Sequence, residues 1–595
     1  MVILGINESH NGTVALLKDG KILYCASEER ITRKKNDVGY PFQTIEEAFK
    51  ETGVKREEVD YVAYGCQFRG PEEFKIKRMT TFRITDYLRE MHEYWRPILL
   101  EHKNPPPFWE KLMKEDRFKH PGKEYYDFSF LKNTPRGKWG EVFDKERVNV
   151  VVKQLGIKSE RVLLLNHHLC HAYYAYYASP IDRTKTTGVI TIDGEGDGEN
   201  ATIYLAKGGR LKKIYGTGMC NLGRIYRYIT LLLGMKPFEH EYKVMGLAPY
   251  AKDYIRKPGY DVFKKTLIVN GLDFRWKERP SDLYFYFRDR LEGVRFDGVA
   301  GGLQKWLEEI LVEWVLNVLK RLRVDSLVYS GGVSMNVKAN KIIGEMPKLK
   351  KFFVPASGGD ESTAIGAAYV IAIDKGIKVP PLEDIYLGHR ISNEEVTGLI
   401  RKYKIKGKYK VKKGATNKEV AKLLAQNKII ARCVGRMEFG ARALGNRSIL
   451  CNPVNFDNIA LLNERIKFRD FWMPFTPSVL DYRVKDYLVN PKNLKSPHMT
   501  MAFDTTAFGA KHLRAATHPG DLTARPQMLT KKANPGYYDL IQNFEKLTGV
   551  GAVLNTSFNL HGEPIVRSAE DAWHTFINSD LDGLLLNDIL ILKRP

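Results

Sequence analysis

A strand, a polar turn and a hairpin occur twice in this chain, and that repeat narrows the folds open to it more than any other feature. Residues 2–6 and 13–18 read as strands, an Asp19-Gly20 turn follows, and residues 21–27 read as a third strand. Asp-Gly between two apolar runs favours the two-residue turn whose twist matches antiparallel strands. The pattern returns at 188–193, 201–206, a Gly208-Gly209 turn and 210–216. Two copies predict a duplicated α/β core, with two unrelated hairpins as the alternative. At 595 residues the chain also exceeds what one core can hold, so two domains are the default.

Duplication of this kind is what the actin-like architecture requires, two related lobes gripping a ligand between them. Between the copies, residues 67–156 read differently, with aromatic and basic helical stretches broken by proline, as in FRITDYLREMHEYWRPILLEH. This is expected to be an insertion on the first lobe, either a lid over an acceptor or a packing subdomain. After the second hairpin, residues 326–329 form a strand entering Ser330-Gly331-Gly332, and residues 352–355 enter Ser357-Gly358-Gly359-Asp360. Strand, glycine turn and helix start present backbone N–H groups to an anion, so both turns are expected at one cleft. Paired prolines and polar residues in KGIKVPPLEDIYLGHRISNEE read as a linker. The boundary is placed between domains 1–385 and 386–595.

Composition excludes some function classes. No run of about 18 apolar residues could cross a membrane, and no basic segment precedes the apolar N-terminus, so a cytoplasmic protein is expected. Cys25, Cys66, Cys170, Cys220, Cys433 and Cys451 are dispersed without a CxxC pair, which fits free thiols. The net charge of +24 favours anionic ligands, nucleic acid or phosphorylated small molecules alike.

Chemistry-bearing residues cluster in both halves. His167 and His171 in HHLCHA are four apart, so on a helix they share a face and can converge on one metal. A carboxylate would complete such a site, and Asp193 and Asp360, at the turns of the duplicated core, are the candidates. His10, in the first hairpin turn, has the side chain best suited to take a proton from a hydroxyl near neutral pH. In the second half, GRMEFGARALGNRSIL and NERIKFRDFWMPFTPSVL set Arg436, Arg442, Arg447, Lys467 and Arg469 among glycines and prolines. Guanidinium forks match phosphate, and glycine lets backbone approach it. Arg525 in TARPQ, and Asn555, Ser557 and Asn559 in LNTSFNLHGEP, add small polar groups suited to an adenylate or a carbamoyl amide.

Taken together and in this order, HHLCHA, DGEGDGE, EYKVMGLAPY, SGGVSMN, SGGDESTAIGAA, GRMEFGARALGNRSIL, MPFTPSVL, TARPQ and LNTSFNLHGEPIV resemble the O-carbamoyltransferases that modify nodulation factors and antibiotics such as tobramycin and cephamycins. The resemblance runs nearly end to end. It implies a sugar-kinase/actin-like N-terminal domain, akin to the tRNA threonylcarbamoyltransferase, and an α/β YrdC-like C-terminal domain. It implies that carbamoyl phosphate and ATP yield carbamoyl-adenylate in the second domain, and that the carbamoyl group passes to a hydroxylated small-molecule acceptor in the first. Metal ligands would be His167, His171, Asp193 and Asp360, holding an iron-type divalent ion, with Mg(II) accompanying the nucleotide. Adenylate contacts would come from Gly331, Gly332 and Asn336, and Arg442, Arg447 and Lys467 would hold carbamoyl phosphate and nucleotide. Where the family carries Asp after the turn histidine, this chain has Asn11. A tRNA-modifying or RNA-binding protein is the alternative of another class, and an actin-like kinase a third reading. No membrane or nucleic-acid partner is expected, and a homodimer is left open.

Overall fold

The structure is a computed structural model that describes residues 1–119, 124–467 and 470–594. Arg469, counted above among the clustered cations, lies outside the described residues. The chain forms two compact units, one of residues 1–352 with 358–381, the other of residues 353–357 with 382–595.

In the first unit, β1 (Val2–Asn7), β2 (Thr13–Lys18), β3 (Lys21–Ser27), β4 (Val59–Tyr64) and β5 (Val162–Leu164) make a sheet in the order β3-β2-β1-β4-β5. The first three are antiparallel neighbours, whereas β4 and β5 continue the sheet in parallel. All six residues of β1 are buried, as a strand covered on both faces requires. The copy follows with β6 (Thr187–Gly196), β7 (Glu199–Lys207) and β8 (Arg210–Thr217), then a separate hairpin of β9 (Leu267–Asn270) and β10 (Asp273–Trp276), then β11 (Ser326–Ser330) and β12 (Lys351–Phe353). Its order, β12-β11-β6-β7-β8, repeats the first strand for strand, again with a parallel partner at the inner strand. Both hairpin turns have two central residues in the left-handed region, Asp19 and Gly20 at φ 49° and 82° and Gly208 and Gly209 at 58° and 75°. That is the geometry the Asp-Gly and Gly-Gly pairs encode. Residues of the insertion build an aromatic core from Phe82, Tyr87, Phe108 and Phe118 that also takes in Leu231 and Phe285 of the second copy.

The second unit adds β13 (Lys410–Lys412), β14 (Ile430–Cys433), β15 (Arg447–Cys451), β16 (Thr476–Leu480), the short pair β17 (Phe503–Asp504) and β18 (Thr523–Ala524), β19 (Gln527–Leu529), β20 (Ala552–Ser557), β21 (Gly583–Leu586) and β22 (Ile589–Leu592). Eight of these make a mixed sheet, β13-β22-β21-β14-β15-β20-β16-β19, whose apolar side packs on helices that include Ala569–Ile577. The expected α/β class is observed, with the strand order of the first sheet repeated in the second and a separate α/β unit after them. Among the described residues no helix is long and apolar enough to cross a membrane, and all six cysteines are buried and free.

Candidate functional site

The helix His167–Ala178 begins beside the end of β6. Asn166 caps it by accepting the Leu169 N–H at 3.0 Å. Asp197, in the β6–β7 turn, accepts the His167 N–H at 2.6 Å, so the first turn of the helix is fixed to the second sheet. Gly196 is required there, since a Cβ would come within 2.2 Å of the His167 ring. The four-residue spacing then does what helical geometry dictates: the Nε2 atoms of His167 and His171 face each other at 3.1 Å.

Asp193 and Asp360 join them. Asp193 Oδ2 lies 3.4 Å from His171 Nε2 and 4.0 Å from His167 Nε2, and Asp360 Oδ1 lies 3.8 Å from His167 Nε2. One donor atom from each of the four residues falls within 4.8 Å of the others. Both histidines are fully buried. Burial works against a charge on His167, but hydrogen bonding and attraction from Asp193 and Asp360 outweigh it and hold its pKa above the usual value. Burial likewise opposes ionisation of Asp193, and the two histidines reverse that to keep the carboxyl well below its usual range. Two imidazole nitrogens at this separation, flanked by two carboxylates, must share either a proton or a cation. Two nitrogens and two carboxylates are a donor set suited to a divalent transition metal, so the residues present fit the expected ion. His168 points elsewhere: Nδ1 meets Thr191 Oγ1 at 2.7 Å and Nε2 meets the Glu199 carbonyl at 3.0 Å. Burial and the neighbouring imidazoles lower its pKa to about 3, which makes it a neutral structural histidine.

The turn after β1 reaches the same cluster, because Ser9 Oγ donates to Asp360 Oδ2 at 2.7 Å. His10 follows directly, its Nδ1 buried without a partner, and Asn11 adopts φ 64° with its Oδ1 also buried and unpartnered. The two glycine turns meet, Gly331 N–H donating to the Gly358 carbonyl at 2.9 Å.

Gly332 N–H donates to Asp193 Oδ2 at 2.6 Å and so orients one of the four clustered side chains. Asn336 caps the helix Val337–Glu345 and exchanges hydrogen bonds with Gln304 at 2.9 and 3.0 Å.

In the second unit, Lys467 is buried and donates to the Ser557 carbonyl, to the Asn559 carbonyl at 3.0 Å and to Asn559 Oδ1 at 2.9 Å. Lys467, Ser557 and Asn559 therefore do converge. Asn555, two residues earlier on β20, donates to the Ala443 carbonyl at 3.1 Å, beside half-buried Arg442. Its Oδ1 is buried with no partner. Arg447 is turned inward, fully buried. Its Nε, Nη1 and Nη2 donate to the carbonyls of Arg567, Val434 and His389 at 3.0, 2.8 and 3.1 Å, with further bonds to Asn446 and Gly435. A guanidinium so occupied holds the loop together. Arg436 likewise donates to the Gly388 and Leu387 carbonyls at 3.2 and 2.6 Å. Arg525 lies between β18 and β19, half-buried.

Glu438 was not anticipated. It is 1% exposed, and its Oε1 accepts the N–H groups of Leu444, Asn446 and Arg447 at 2.6, 3.2 and 3.1 Å. An internal carboxylate thus gathers the loop that carries Arg442. An acid inside so basic a motif was the available signal, as was the acid of the Asp197-Gly turn.

The family model described as the carbamoyltransferase N-terminus matches residues 2–369, and that described as the carbamoyltransferase C-terminus matches residues 421–593. The chain is a carbamoyltransferase of this family. Among relatives of this carbamoyltransferase, a protein of Methanocaldococcus jannaschii is 31% identical over 618 residues and all of both chains. Nodulation protein NolO of Bradyrhizobium diazoefficiens is 32% identical over 440 residues, 72% of this chain and 79% of that protein. Among solved structures, HypF of T. kodakarensis aligns at 13% identity and a TM-score of 0.30, covering 63% of this chain and 48% of that one.

Proposed function

We propose that this carbamoyltransferase is an ATP-dependent O-carbamoyltransferase that activates the carbamoyl group in its C-terminal unit and transfers it in its N-terminal unit. The observation that carries the reading is that each unit holds a distinct polar site made from its own residues: two histidines with two carboxylates in the first, and Lys467 among the polar groups of β20 in the second. In the second, water would release inorganic phosphate from carbamoyl phosphate, and the resulting carbamate oxygen would attack the α-phosphorus of ATP, expelling pyrophosphate. Carbamate is a poor acyl donor, whereas its mixed anhydride with AMP has a good leaving group. The step crowds anionic oxygens, which Arg442 and Lys467 would neutralise away from water.

In the first unit, His167, His171, Asp193 and Asp360 would hold a divalent ion, Fe(II) by the resemblance, which when bound would polarise an oxygen as a Lewis acid. His10, next to the Ser9 that bonds Asp360, would take the proton of the acceptor hydroxyl. That oxygen would then attack the carbamoyl carbon, and AMP would leave. Asn11, half-buried in place of an acid, adds no charge beside His10.

The test separates the half-reactions. Lys467→Ala should abolish ATP–pyrophosphate exchange dependent on carbamoyl phosphate. His167→Ala should retain exchange yet stop carbamoylation of any hydroxylated metabolite that the wild type modifies, followed by mass spectrometry. Exchange that persists in the Lys467→Ala protein contradicts the proposal.

A further inference from the structure

Cys66 to Arg69, which follow β4, are held from two sides. Asp197 accepts the Cys66 thiol at 3.1 Å and the N–H groups of Gln67 and Phe68 at 3.1 and 2.9 Å, with the same carboxylate that accepts the His167 N–H. From the other side, Arg147 donates to the Gln67 and Cys66 carbonyls, both at 2.7 Å. Arg147 also forms ion pairs with Glu8 at 2.5 Å and Asp144 at 2.9 Å. Arg69 ends the same pinned segment. Its Nε and Nη2 are sealed from solvent and make no hydrogen bond.

Those two nitrogens form one edge of the guanidinium, the edge whose parallel N–H bonds match two oxygens of a phosphate or carboxylate. Leaving such a pair buried and unbonded costs free energy that a ligand would recover. The acids nearby make no hydrogen bond to these two nitrogens: Glu8 is ion-paired with Arg147 and accepts from Tyr126, and Asp360 accepts from Ser9. Burial works against the charge of Arg69, and the acids Asp360 and Glu8 counter it. The Asp197 carboxylate that holds Gln67 and Phe68 also holds the first N–H of the histidine helix, which ties this segment to the four-residue cluster.

We infer that Arg69 is a substrate-binding residue of the N-terminal unit, its Nε/Nη2 edge receiving the phosphate of an acyl-phosphate donor and of the AMP that leaves. This rests on the reading of that unit as the site of carbamoyl transfer. A single carbonyl oxygen would satisfy only one of the two N–H groups, whereas a phosphate satisfies both. The residue lies in the segment that opens the insertion, so the insertion would contribute to donor binding.

The test uses AMP as probe and the full-length, metal-loaded protein carrying Lys467→Ala, so that the C-terminal unit's own nucleotide site is impaired. In that background Arg69→Ala should weaken AMP binding by about ten- to hundred-fold in calorimetry, as expected for a charge-assisted pair. Arg69→Lys should restore only part, because a point charge lacks the fork. Arg69→Met should raise the melting midpoint of the nucleotide-free protein and remove the upward shift that AMP produces. AMP affinity within about two-fold of the Arg69 protein, no AMP binding while Arg69 is intact, or a lower nucleotide-free midpoint for Arg69→Met would each overturn the inference. ATP–pyrophosphate exchange by the wild type tests the activation reading independently.

Discussion

Glu239 illustrates how single residues near the first site are tuned. Burial opposes its charge, but Lys35 at 2.8 Å and Lys236 at 2.9 Å prevail and hold its pKa at about 2, against 4.5 for the free side chain. A carboxyl with a depressed folded value adds stability above its unfolded pKa and loses it as pH falls toward the folded one. Glu239→Gln should therefore destabilise the protein by about 3 kcal/mol at neutral pH, and the gap should close as pH drops from 4.5 toward 2 in denaturant titrations. Among the proposed metal ligands, His167 is shifted upward where Glu239 is shifted downward. His167 holds its proton more tightly than a free imidazole, and an ion must displace that proton. Divalent metal should thus bind more weakly as pH is lowered, with proton release on binding, measured by calorimetry in buffers of different ionisation enthalpy. His171→Ala should bind little metal at any of these pH values. At this scale the sequence was most legible where spacing alone decides contact, as for His167 and His171. It was least legible for Arg447 and Asn336, because residue type does not say which acceptor a side chain will find.

Among elements, the two turns that carry the sites both rest on glycines in the left-handed region. Gly331 has φ 93°, and a Cβ there would lie 2.3 Å from the Ile192 carbonyl. Gly331→Ala should cost about 3 kcal/mol in thermal unfolding, from backbone strain and a displaced β6, and should reduce metal content by moving Asp193. The 438–447 loop has the same requirement at Gly440 and Gly445, with φ 93° and 117°, and depends on Glu438 besides. Glu438→Ala would leave three buried N–H groups without an acceptor, a loss of about 3 kcal/mol or more. It should also impair ATP–pyrophosphate exchange even though Arg442 is retained, whereas a solvated basic loop would tolerate the change. The strands and hairpins of the first unit were legible because Asp-Gly and Gly-Gly encode their turns locally. The loop's internal anchor was not, since a glutamate among arginines is equally compatible with a surface ion pair.

For the whole molecule, the chain leaves the first unit at residue 353, contributes 353–357 to the second, and returns before leaving again at 382. The linker composition near 385 does not reveal that excursion. Within the second unit, the Val354 carbonyl accepts from Thr500 Oγ1 at 2.9 Å and Ser357 Oγ from the Ala441 N–H at 3.3 Å. A fragment beginning at residue 386 would lack both, and should be less stable than one to which residues 353–357 are supplied as a peptide, measured by hydrogen exchange in the 440s. The net charge of +24 remains the basis of the nucleic-acid alternative, which requires steeply salt-dependent tRNA binding. Binding that is weak and flat across a filter-binding salt series would remove it.

What the amino-acid order determined by itself was local: strand and turn positions, the helical pair of histidines, the duplication and the family motifs. These follow from backbone preferences and from spacing within one element, which need no knowledge of the rest of the chain. Tertiary structure decided the remainder. It chose Asp197 to anchor the histidine helix, turned Arg447 inward while leaving the Arg69 fork without a partner, and lent residues 353–357 to the second unit. Each of those outcomes depends on which groups distant in sequence become neighbours, and burial then makes every unpaired polar atom costly enough to matter.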